Sequence, residues 1–572
     1  MDTSVSGERL AEALRCLRAR GFTPTGNRRG VRSFEGGLPC KGGSIKIRFD
    51  IWDWDFLVYP AITILDWPAD FPSLVPHLDE KGRLCYFAHG SIVLDQYDPA
   101  ESIAQCLDQA QFVLECIRWD PEYRHGDIQD EFLVHWFRGQ SATLWPVLLG
   151  TVDPAKKSSN YWFIKTETTS YSVISETAEE VKALATALGA EAPTQSKCPC
   201  WLLRSEVIPA VPVAMPASVN ELFAWLREWD KDLYQRVQLI LEREPSYLAY
   251  SFTTFAVQTP LGWLGFGFDL EPVHRLGAKK NPRLYKQFLH KRGGERGIIR
   301  LSMTEFGPDF VHSRNLMFPD LKNKRIAVIG CGAIGSHVAP GLIRLGAGTG
   351  SGRLNLIDTD YMWTENLGRH VLGYPALFKR KAEALASELT RQFPQSKINA
   401  RVDNVRDVHD LFDADLVIDA TGEESVSEMV NARRVRSGLD TPVLHVRIRG
   451  NGECVQTFWA QGESYACFRC LLHAGHKNYR EERFPVLKGE TQRKQIGCGG
   501  FTPYAVSAPM SAAALCMEVI VDWLQRGQTS PRFRTRAMAN ANVFAVKDQD
   551  VARLPACPAC GAEHAKPATV RQ

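Results

Sequence analysis

The chain has 572 residues, several times the usual domain size of about 100–200 residues, which predicts about three domains. Its hydrophobic fraction of 44% and charged fraction of 23% are typical of globular proteins and exclude a largely disordered, collagenous or coiled-coil chain. The 68 lysines and arginines against 65 aspartates and glutamates give a net charge of +3, too small to predict nucleic-acid or membrane-surface binding.

The first residues and the lack of long apolar runs predict a soluble, cytoplasmic protein. Charged residues interrupt the N-terminal segment where a secretory signal needs an apolar run, and no run reaches the roughly 18 consecutive apolar residues of a spanning helix. In such a compartment, the 15 cysteines are better explained as metal ligands, nucleophiles and buried thiols than as disulfides.

Residues 1–150 are predicted to form an α+β domain. A helical face with Leu10, Leu14 and Leu17 precedes a strand-like alternation over residues 45–51, and helical spacing returns over residues 98–119. A helix, an antiparallel meander and a second helix therefore follow one another in this domain.

Cys85 lies between the meander and the second helix, after a proline-rich turn. This order resembles ubiquitin-conjugating enzymes, which have a meander, a proline-rich turn, a short glycine-x-aliphatic-cysteine run and an aromatic-x-proline step into a helix. The resemblance implies that Cys85 is a catalytic nucleophile. The family usually has an asparagine eight residues before its cysteine, whereas this chain has His77. We expect His77 to stabilise the oxyanion or to hold the loop, and a histidine that only completes the loop is the alternative.

Residues 151–310 are predicted to form an α/β linker domain that positions its neighbours. Helical stretches are expected near 176–189 and 218–243. Cys198 and Cys200 resemble half of a metal site, but no second half-site lies nearby in the sequence, which favours buried or loop thiols.

Residues 311–572 are predicted to form a doubly wound α/β domain with a mostly parallel sheet, because short buried strands alternate with helices. Gly330, Gly332 and Gly335 form a GxGxxG pattern between a strand and a helix, where glycines admit phosphates and the helix N-terminus stabilises their charge. Asp358 ends the next strand, where a carboxylate accepts hydrogen bonds from ribose hydroxyls. These features predict a nucleotide site and fit a dehydrogenase equally well.

The segment that follows favours ATP over a dinucleotide. It offers Asp360, Asn366, Arg369 and Lys381, polar groups suited to a triphosphate with magnesium. A glycine loop, Asp-x-Asp, Asn-Leu-x-Arg and a downstream lysine resemble the ubiquitin-activating and sulfur-carrier-adenylating superfamily. The resemblance implies a Rossmann-like adenylation domain that uses ATP and Mg²⁺.

The same resemblance implies a role for two further positions. Arg314 matches an arginine that reaches ATP, often across a dimer, so a homodimer is expected. The superfamily usually has Asp-x-Thr-Asp after the next strand, but this chain has Gly422 in place of the last aspartate. Either Asp419 or Glu423 then holds the magnesium, or the ion is held differently.

Two CxxC pairs are predicted to form one structural zinc site, with two unrelated turns as the alternative. Four thiolates are the number that tetrahedral zinc needs and leave no open position for water, and the adenylating superfamily carries such pairs in these places. The four candidate ligands are Cys467, Cys470, Cys557 and Cys560.

Cys498 is a second candidate nucleophile. It lies in a glycine-rich stretch just before an apolar helix, and such loops are exposed enough for a thiolate to meet an acyl adenylate and then a second thiol. Activating enzymes with a catalytic thiol carry it in a comparable loop or inserted domain. A structural loop thiol is the alternative.

An activating and a conjugating module in one chain resemble the bacterial fusion proteins of the CBASS antiphage systems, which attach the C-terminus of a cGAS-like nucleotidyltransferase to target amines. The resemblance implies an acyl adenylate, a thioester on Cys498, transfer to Cys85 and then transfer to lysines of target proteins. No membrane or direct nucleic-acid partner is expected. The alternatives are a sulfur-carrier adenylyltransferase without a conjugation step, an NAD-dependent oxidoreductase and a non-enzymatic adaptor.

Overall fold

The structure, a computed structural model, describes residues 7–28, 30–138, 147–196, 198–473, 481–496, 499–539 and 541–561. The chain divides into two compact units, described separately below. The first unit comprises Met1–Phe163, Ser170–Glu176 and Thr194–Thr304, and the second comprises Ile164–Thr169, Thr177–Pro193 and Glu305–Gln572. The domain boundaries expected near residues 150 and 310 stay predictions.

The N-terminal part of the first unit has one antiparallel sheet covered by helices. Its helices are α1 (Gly7–Ala19), α2 (Pro99–Trp119), α3 (Pro121–Asp130) and α4 (Phe132–Phe137). Its strands, which neighbour one another in chain order, are β1 (Thr23–Arg28), β2 (Val31–Cys40), β3 (Gly43–Ile51), β4 (Ala61–Ile64) and β5 (Arg83–Leu84). The α+β arrangement predicted for this region is confirmed.

The sequence explains where α2 forms and which face it buries. Asp98 caps its N-terminus by accepting a hydrogen bond from the Glu101 amide, and Pro99 occupies the first helical turn, where its missing N–H costs nothing. Ile103, Leu107 and their neighbours at helical spacing face the strands and are fully buried.

The remainder of the first unit is built on an eight-stranded sheet. Its strands are β6 (Val147–Leu149), β7 (Ser158–Lys165), β8 (Ser170–Ser175), β9 (Thr194–Gln195), β10 (Cys200–Arg204), β11 (Phe252–Thr259), β12 (Gly262–Asp269) and β13 (Ile298–Glu305). The strand order is β10-β11-β12-β13-β6-β8-β7-β9, and β7 also pairs with β10.

The helices of this region are α6 (Val219–Trp229), α7 (Lys231–Arg243), α8 (Pro272–Ala278) and α9 (Pro282–Leu289), whereas α5 (Ala178–Ala187) belongs to the second unit. The helical stretch expected over residues 218–243 is therefore two helices. Asp230 separates them, because its extended backbone ends α6 while its carboxylate caps α7. Cys198 and Cys200 are buried thiols, as expected.

Helix α4 joins the two parts of the first unit. Phe132 and Trp136 are buried and stack with Trp225 of α6. The buried guanidinium of Arg300 donates to the carbonyls of Trp136 and Arg138 at the end of α4, at 2.7 Å each. Helix α4, which directly follows α3, is thus held in the core of the region with the eight-stranded sheet.

The second unit contains a seven-stranded mixed sheet. Its helices are α10 (Pro308–Ser313), α11 (Ala333–Arg344), α12 (Lys381–Gln392), α13 (Glu424–Ser437) and α14 (Ser507–Arg526). Its strands are β14 (Arg325–Ile329), β15 (Arg353–Ile357), β16 (Ile398–Arg401), β17 (Leu416–Asp419), β18 (Val443–Arg449), β19 (Cys454–Ala460), β20 (Lys494–Ile496), β21 (Gly499–Phe501) and β22 (Phe533–Ala537).

The strand order of this sheet is β16-β15-β14-β17-β18-β19-β22. The first four neighbouring pairs are parallel and the last two are antiparallel, while β20 and β21 form a separate hairpin pair. Alternate residues of β14 enter different cores, Ile326 and Val328 on one face and Ala327 and Ile329 on the other. Strands buried on both faces explain the continuous apolar runs in the sequence.

Helix α14 is long and apolar enough to cross a membrane by length and composition, and half of its apolar stretch is buried inside the protein. Its buried side chains, which include Leu515, Cys516 and Val519, join the core beneath the sheet. Burial of this kind is typical of a core helix.

Candidate functional site

The glycine loop lies between the end of β14 and the start of α11, and two of its glycines are required for different reasons. Gly330 has a φ of +87°, and a Cβ there would lie 2.9–3.0 Å from Thr421. At Gly335, a Cβ would lie only 1.8 Å from the carbonyl oxygen of Gly330. A Cβ at Gly332 would meet nothing within 4 Å, so that position opens towards free space. The loop can therefore present backbone N–H groups to a phosphate.

Asp358 holds the glycine loop from the end of β15. One carboxylate oxygen accepts a hydrogen bond from the Cys331 amide and the other accepts one from the Asp360 amide, both at 2.7 Å. Burial raises the pKa of Asp358, which the two backbone N–H groups oppose. The residue predicted to bind ribose therefore also fixes the shape of the phosphate loop.

His370 is a second brace, which the sequence reasoning did not identify. Its Nδ1 accepts a hydrogen bond from the Leu372 amide at 3.0 Å, so Nε2 carries the proton and donates to the Cys331 carbonyl at 2.8 Å. Burial lowers the pKa of His370 to about 4. The one feature of the sequence that could have identified His370 is its position directly after Arg369 in the Asn-Leu-x-Arg-His run.

The polar residues after β15 are partly brought together. Lys381 is buried, and its ammonium contacts the Asp360 carboxylate at 2.9 Å. The side-chain oxygen of Asn366 accepts a hydrogen bond from the Trp363 amide and forms a short turn, and the guanidinium of Arg369 lies 5.2 Å from the Tyr504 ring centre. Asp360, which the sequence analysis assigned to the same site, therefore holds Lys381 near the end of β15.

Asp419 ends β17 and is fully enclosed. Its carboxylate accepts hydrogen bonds from the hydroxyls of Thr421 and Ser427 and contacts Nδ1 of His445 at 2.9 Å. Burial raises the pKa of Asp419, but these three partners outweigh burial and leave the pKa below its usual value. Both of its oxygens are occupied by protein groups, whereas Glu423 is exposed at the start of α13.

Arg314 is exposed at the end of α10, where its guanidinium lies 5.4 Å from the ring centre of Phe310. Within the described residues of its unit, it makes no contact with the glycine loop. Its predicted reach towards a nucleotide stays a prediction.

The four predicted zinc ligands converge into one buried cluster. Their sulfur atoms all lie within 4.8 Å of one another. Three sulfur pairs are 3.9 Å (Cys467–Cys470), 3.8 Å (Cys467–Cys557) and 3.5 Å (Cys470–Cys560) apart. Four thiolates at about 2.3 Å from a tetrahedral zinc are about 3.8 Å from one another. The cluster therefore fits a zinc ion in both ligand type and spacing.

Cys85 is exposed and directly follows the short strand β5. Its amide donates a hydrogen bond to the carbonyl of His77 at 2.7 Å, which closes the loop between them. His77 has a φ of +58°, a left-handed conformation that costs a non-glycine residue on the order of 1–2 kcal/mol. Nε2 of His77 contacts the Asp127 carboxylate of α3 at 2.7 Å, so a side-chain contact accompanies the strained backbone.

The surroundings of Cys85 favour a protonated resting thiol. Cys85 is exposed as a residue, but partial burial of its sulfur raises the pKa of Cys85, and the carboxylate of Glu131 raises it further, whereas Arg138 lowers it. Both charged residues flank helix α4. Because the thiolate is the nucleophile, Cys85 is expected to react with activated acyl groups rather than with weak oxidants or electrophiles.

Cys498 lies outside the described residues. The residues on either side of it form the strand pair β20–β21, with Lys494 opposite Phe501. Its role as the first acyl acceptor stays a prediction.

Comparisons with known proteins match the N-terminal and C-terminal parts of the chain to two different families. Residues 7–143 match the prokaryotic E2 family B, and residues 306–558 match the ThiF family. The ATP-dependent ubiquitin transferase-like protein Cap2 of Pseudomonas aeruginosa is 30% identical, with the match covering 89% of this chain and 90% of that protein. The chain belongs to the Cap2 family.

Cap2 relatives in other bacteria match over similar lengths. The Vibrio cholerae protein is 25% identical, covering 85% of this chain and 87% of its own length. The Escherichia coli protein is 24% identical, covering 91% of each chain. The predicted fusion of a ubiquitin-conjugating-like domain with a ThiF-like domain is thereby confirmed, and the chain is an activating and conjugating transferase of the ubiquitin-like type. Membership of this family leaves the oxidoreductase and adaptor alternatives without support.

Proposed function

We propose that this Cap2-family member activates the C-terminal carboxylate of a cGAS-like nucleotidyltransferase with ATP and attaches it to lysines of target proteins in antiphage defence. The observation that carries the proposal is that one chain combines a braced phosphate loop with an exposed cysteine, Cys85, in a ubiquitin-conjugating-like domain. A sulfur-carrier adenylyltransferase needs the first feature and has no use for the second.

The first step is adenylation. A free carboxylate is a poor acyl donor because oxide would have to leave, so its oxygen attacks the α-phosphate of ATP and pyrophosphate departs. The backbone N–H of Gly332 contacts the phosphates, Asp358 contacts the ribose, and Lys381 and Arg369 neutralise the developing negative charge.

Mg²⁺ supplies charge neutralisation for the triphosphate when it is bound. Of the two candidate acidic residues, Glu423 is the better ligand. Its side chain is exposed at the end of the sheet, whereas both oxygens of Asp419 are used by protein donors. In this role Asp419 supports the loop after β17, and Thr421 of that loop packs against Gly330.

The second step is a thiol relay. Cys498 attacks the acyl adenylate and AMP leaves, and Cys85 then takes the acyl group by transthioesterification. His77 holds the loop that carries Cys85. Because both thiols belong to one polypeptide, the transfer profits from a raised effective concentration, and the linker domain positions the two modules for it.

Zinc in the four-cysteine cluster has a structural role in this proposal. Cys557 and Cys560 come from the C-terminal part of the chain, and Cys467 and Cys470 follow β19. One ion joined to all four would tie these two distant segments together.

The enzyme would work in the cytoplasm as a homodimer, with Arg314 reaching the nucleotide of the partner subunit.

The test is intact-mass and gel analysis of full-length protein mixed with ATP, Mg²⁺ and candidate partner proteins from the neighbouring genes. We expect Cys85→Ala to keep adenylation and a thioester on Cys498 while isopeptide products disappear. Cys40→Ala is the matched control, because Cys40 is a half-buried thiol of the same domain and its loss should leave conjugation unchanged. Conjugates formed by Cys85→Ala would contradict the proposal, because they would remove Cys85 and its domain from the mechanism.

A further inference from the structure

The imidazole of His77 fastens the loop before Cys85 to helix α3. The His77 imidazole contacts Asp127 at 2.7 Å, while the His77 carbonyl accepts the Cys85 amide hydrogen bond. The two side chains are 20% and 28% exposed, so their contact is less screened by solvent than a surface pair. A change at Asp127 is therefore transmitted to Cys85 through one residue.

The contact also decides which nitrogen of the ring is available. Nε2 faces a carboxylate, which accepts hydrogen bonds and does not donate them, so Nε2 carries a proton. Nδ1 of a neutral ring then holds the lone pair, and it makes no hydrogen bond to any residue that the structure describes. A neutral His77 in this state has no N–H left for an oxyanion but can accept a proton.

An aromatic ring of helix α3 lies next to the His77–Asp127 pair. The Tyr123 ring centre lies 6.2 Å from that of His77, and the two rings are tilted by 54°. Asp127 and Tyr123 both belong to α3, whose extension α4 is fixed by Arg300 in the core of the linker region. The carboxylate that faces His77 is thus carried on an anchored helix rather than on a loop.

We propose that Asp127 is a positioning residue that orients His77 to accept the proton of the acceptor amine at Cys85. The inference rests on the proposed function, because it concerns the step in which the Cys85 thioester is consumed. The amine nitrogen attacks the thioester carbonyl, the C–N bond forms, the C–S bond breaks and Cys85 leaves as a thiolate. The proton lost by the amine passes to Nδ1 of His77 and then to solvent or to the thiolate.

The test separates this step from the ATP-dependent steps by loading Cys85 chemically. Full-length protein with Cys498→Ser is acylated with the mercaptoethanesulfonate thioester of acetylglycine, and peptide mass spectrometry confirms the acyl group on Cys85, an exposed thiol. Transfer is then followed to free lysine, which is mostly protonated near pH 7, and to hydroxylamine, which is mostly unprotonated there.

We expect Asp127→Asn to slow transfer to lysine about tenfold or more while transfer to hydroxylamine stays within about twofold. His77→Gly, which keeps the left-handed backbone available, should lose lysine transfer to the same extent, and the double variant should lose no more. Asp127→Glu should recover part of the rate. Asp130→Asn removes an exposed carboxylate from the end of the same helix and should change neither rate.

Wild-type lysine transfer by Asp127→Asn would overturn the inference. Equal slowing with lysine and hydroxylamine would overturn it too, because it would mean that the loop had merely lost its shape. A parent protein that transfers the acyl group to lysine no faster than a free thioester of the same acyl group does would instead contradict the proposed function, so the two failures are distinguishable.

Discussion

Gly335 and Gly332 offer a comparison between two residues of one loop that are glycine for different reasons. In Gly335→Ala the new Cβ would stand 1.8 Å from the Gly330 carbonyl oxygen, and that oxygen belongs to the backbone rather than to a flexible side chain. The loop or α11 must move by roughly 1.2 Å to reach even the shortest separations that Cβ atoms show, a form of overpacking.

The expected cost follows from this displacement. Overpacked core substitutions lower the free energy of unfolding by about 1–3 kcal/mol. Because the atom in the way is a backbone oxygen that cannot rotate aside, we expect Gly335→Ala to lower it by about 3 kcal/mol or more. In a folding unit of this size that is a fall of about 6–12 °C in the melting temperature. ATP binding should fall as well, because the moved carbonyl is part of the phosphate loop.

Gly332→Ala is expected to behave differently. Its Cβ meets no atom within 4 Å and its φ is −80°, so stability should change by less than about 0.5 kcal/mol. The methyl group would instead occupy the space that a phosphate enters, so ATP affinity should fall at least about tenfold.

Differential scanning fluorimetry and calorimetric titration with Mg²⁺–ATP measure the two quantities on full-length protein. A Gly335→Ala variant that melts and binds like the wild type would refute the packing argument. A Gly332→Ala variant with unchanged affinity would show that the loop does not receive the phosphates.

Three further predictions concern buried polar groups. The pKa of His370 is lowered by burial to about 4 from an ordinary 6.5, so the unfolded chain takes up this proton first and stability is lost as the pH falls through that window, by up to about 3 kcal/mol. His370→Gln should flatten this part of the melting-temperature curve against pH, and an identical curve would contradict the assignment. Arg300→Met leaves three backbone carbonyls without their charged donor and should speed amide hydrogen exchange in α4 at least about tenfold, while unchanged exchange would mean that packing alone holds the helix. Cys557→Ser removes one of four clustered thiols and should abolish stoichiometric zinc and lower the melting temperature by more than about 5 °C, whereas one zinc per chain measured in the variant by metal analysis would argue against the cluster as its site.

Patterns within short stretches of sequence predicted a large part of this protein. The glycines of the phosphate loop, the strands buried on both faces and the apolar face of α2 follow from local geometry, since a turn, a strand or a helix repeats over a few residues. The CxxC pairs were also predictable, because each pair needs only one tight turn, and the structure brings all four cysteines together.

The groups that support the site were decided by tertiary packing. Asp127 meets His77 from 50 residues away, His370 braces Cys331 across 39 residues, and Asp419 is enclosed by His445 on the neighbouring strand. No local spacing encodes such pairs, because which side chains meet depends on how helices and strands pack. The sequence alone thus determined the kind of chemistry the chain carries, and tertiary structure decided which nitrogen or oxygen of each supporting residue remains free for it.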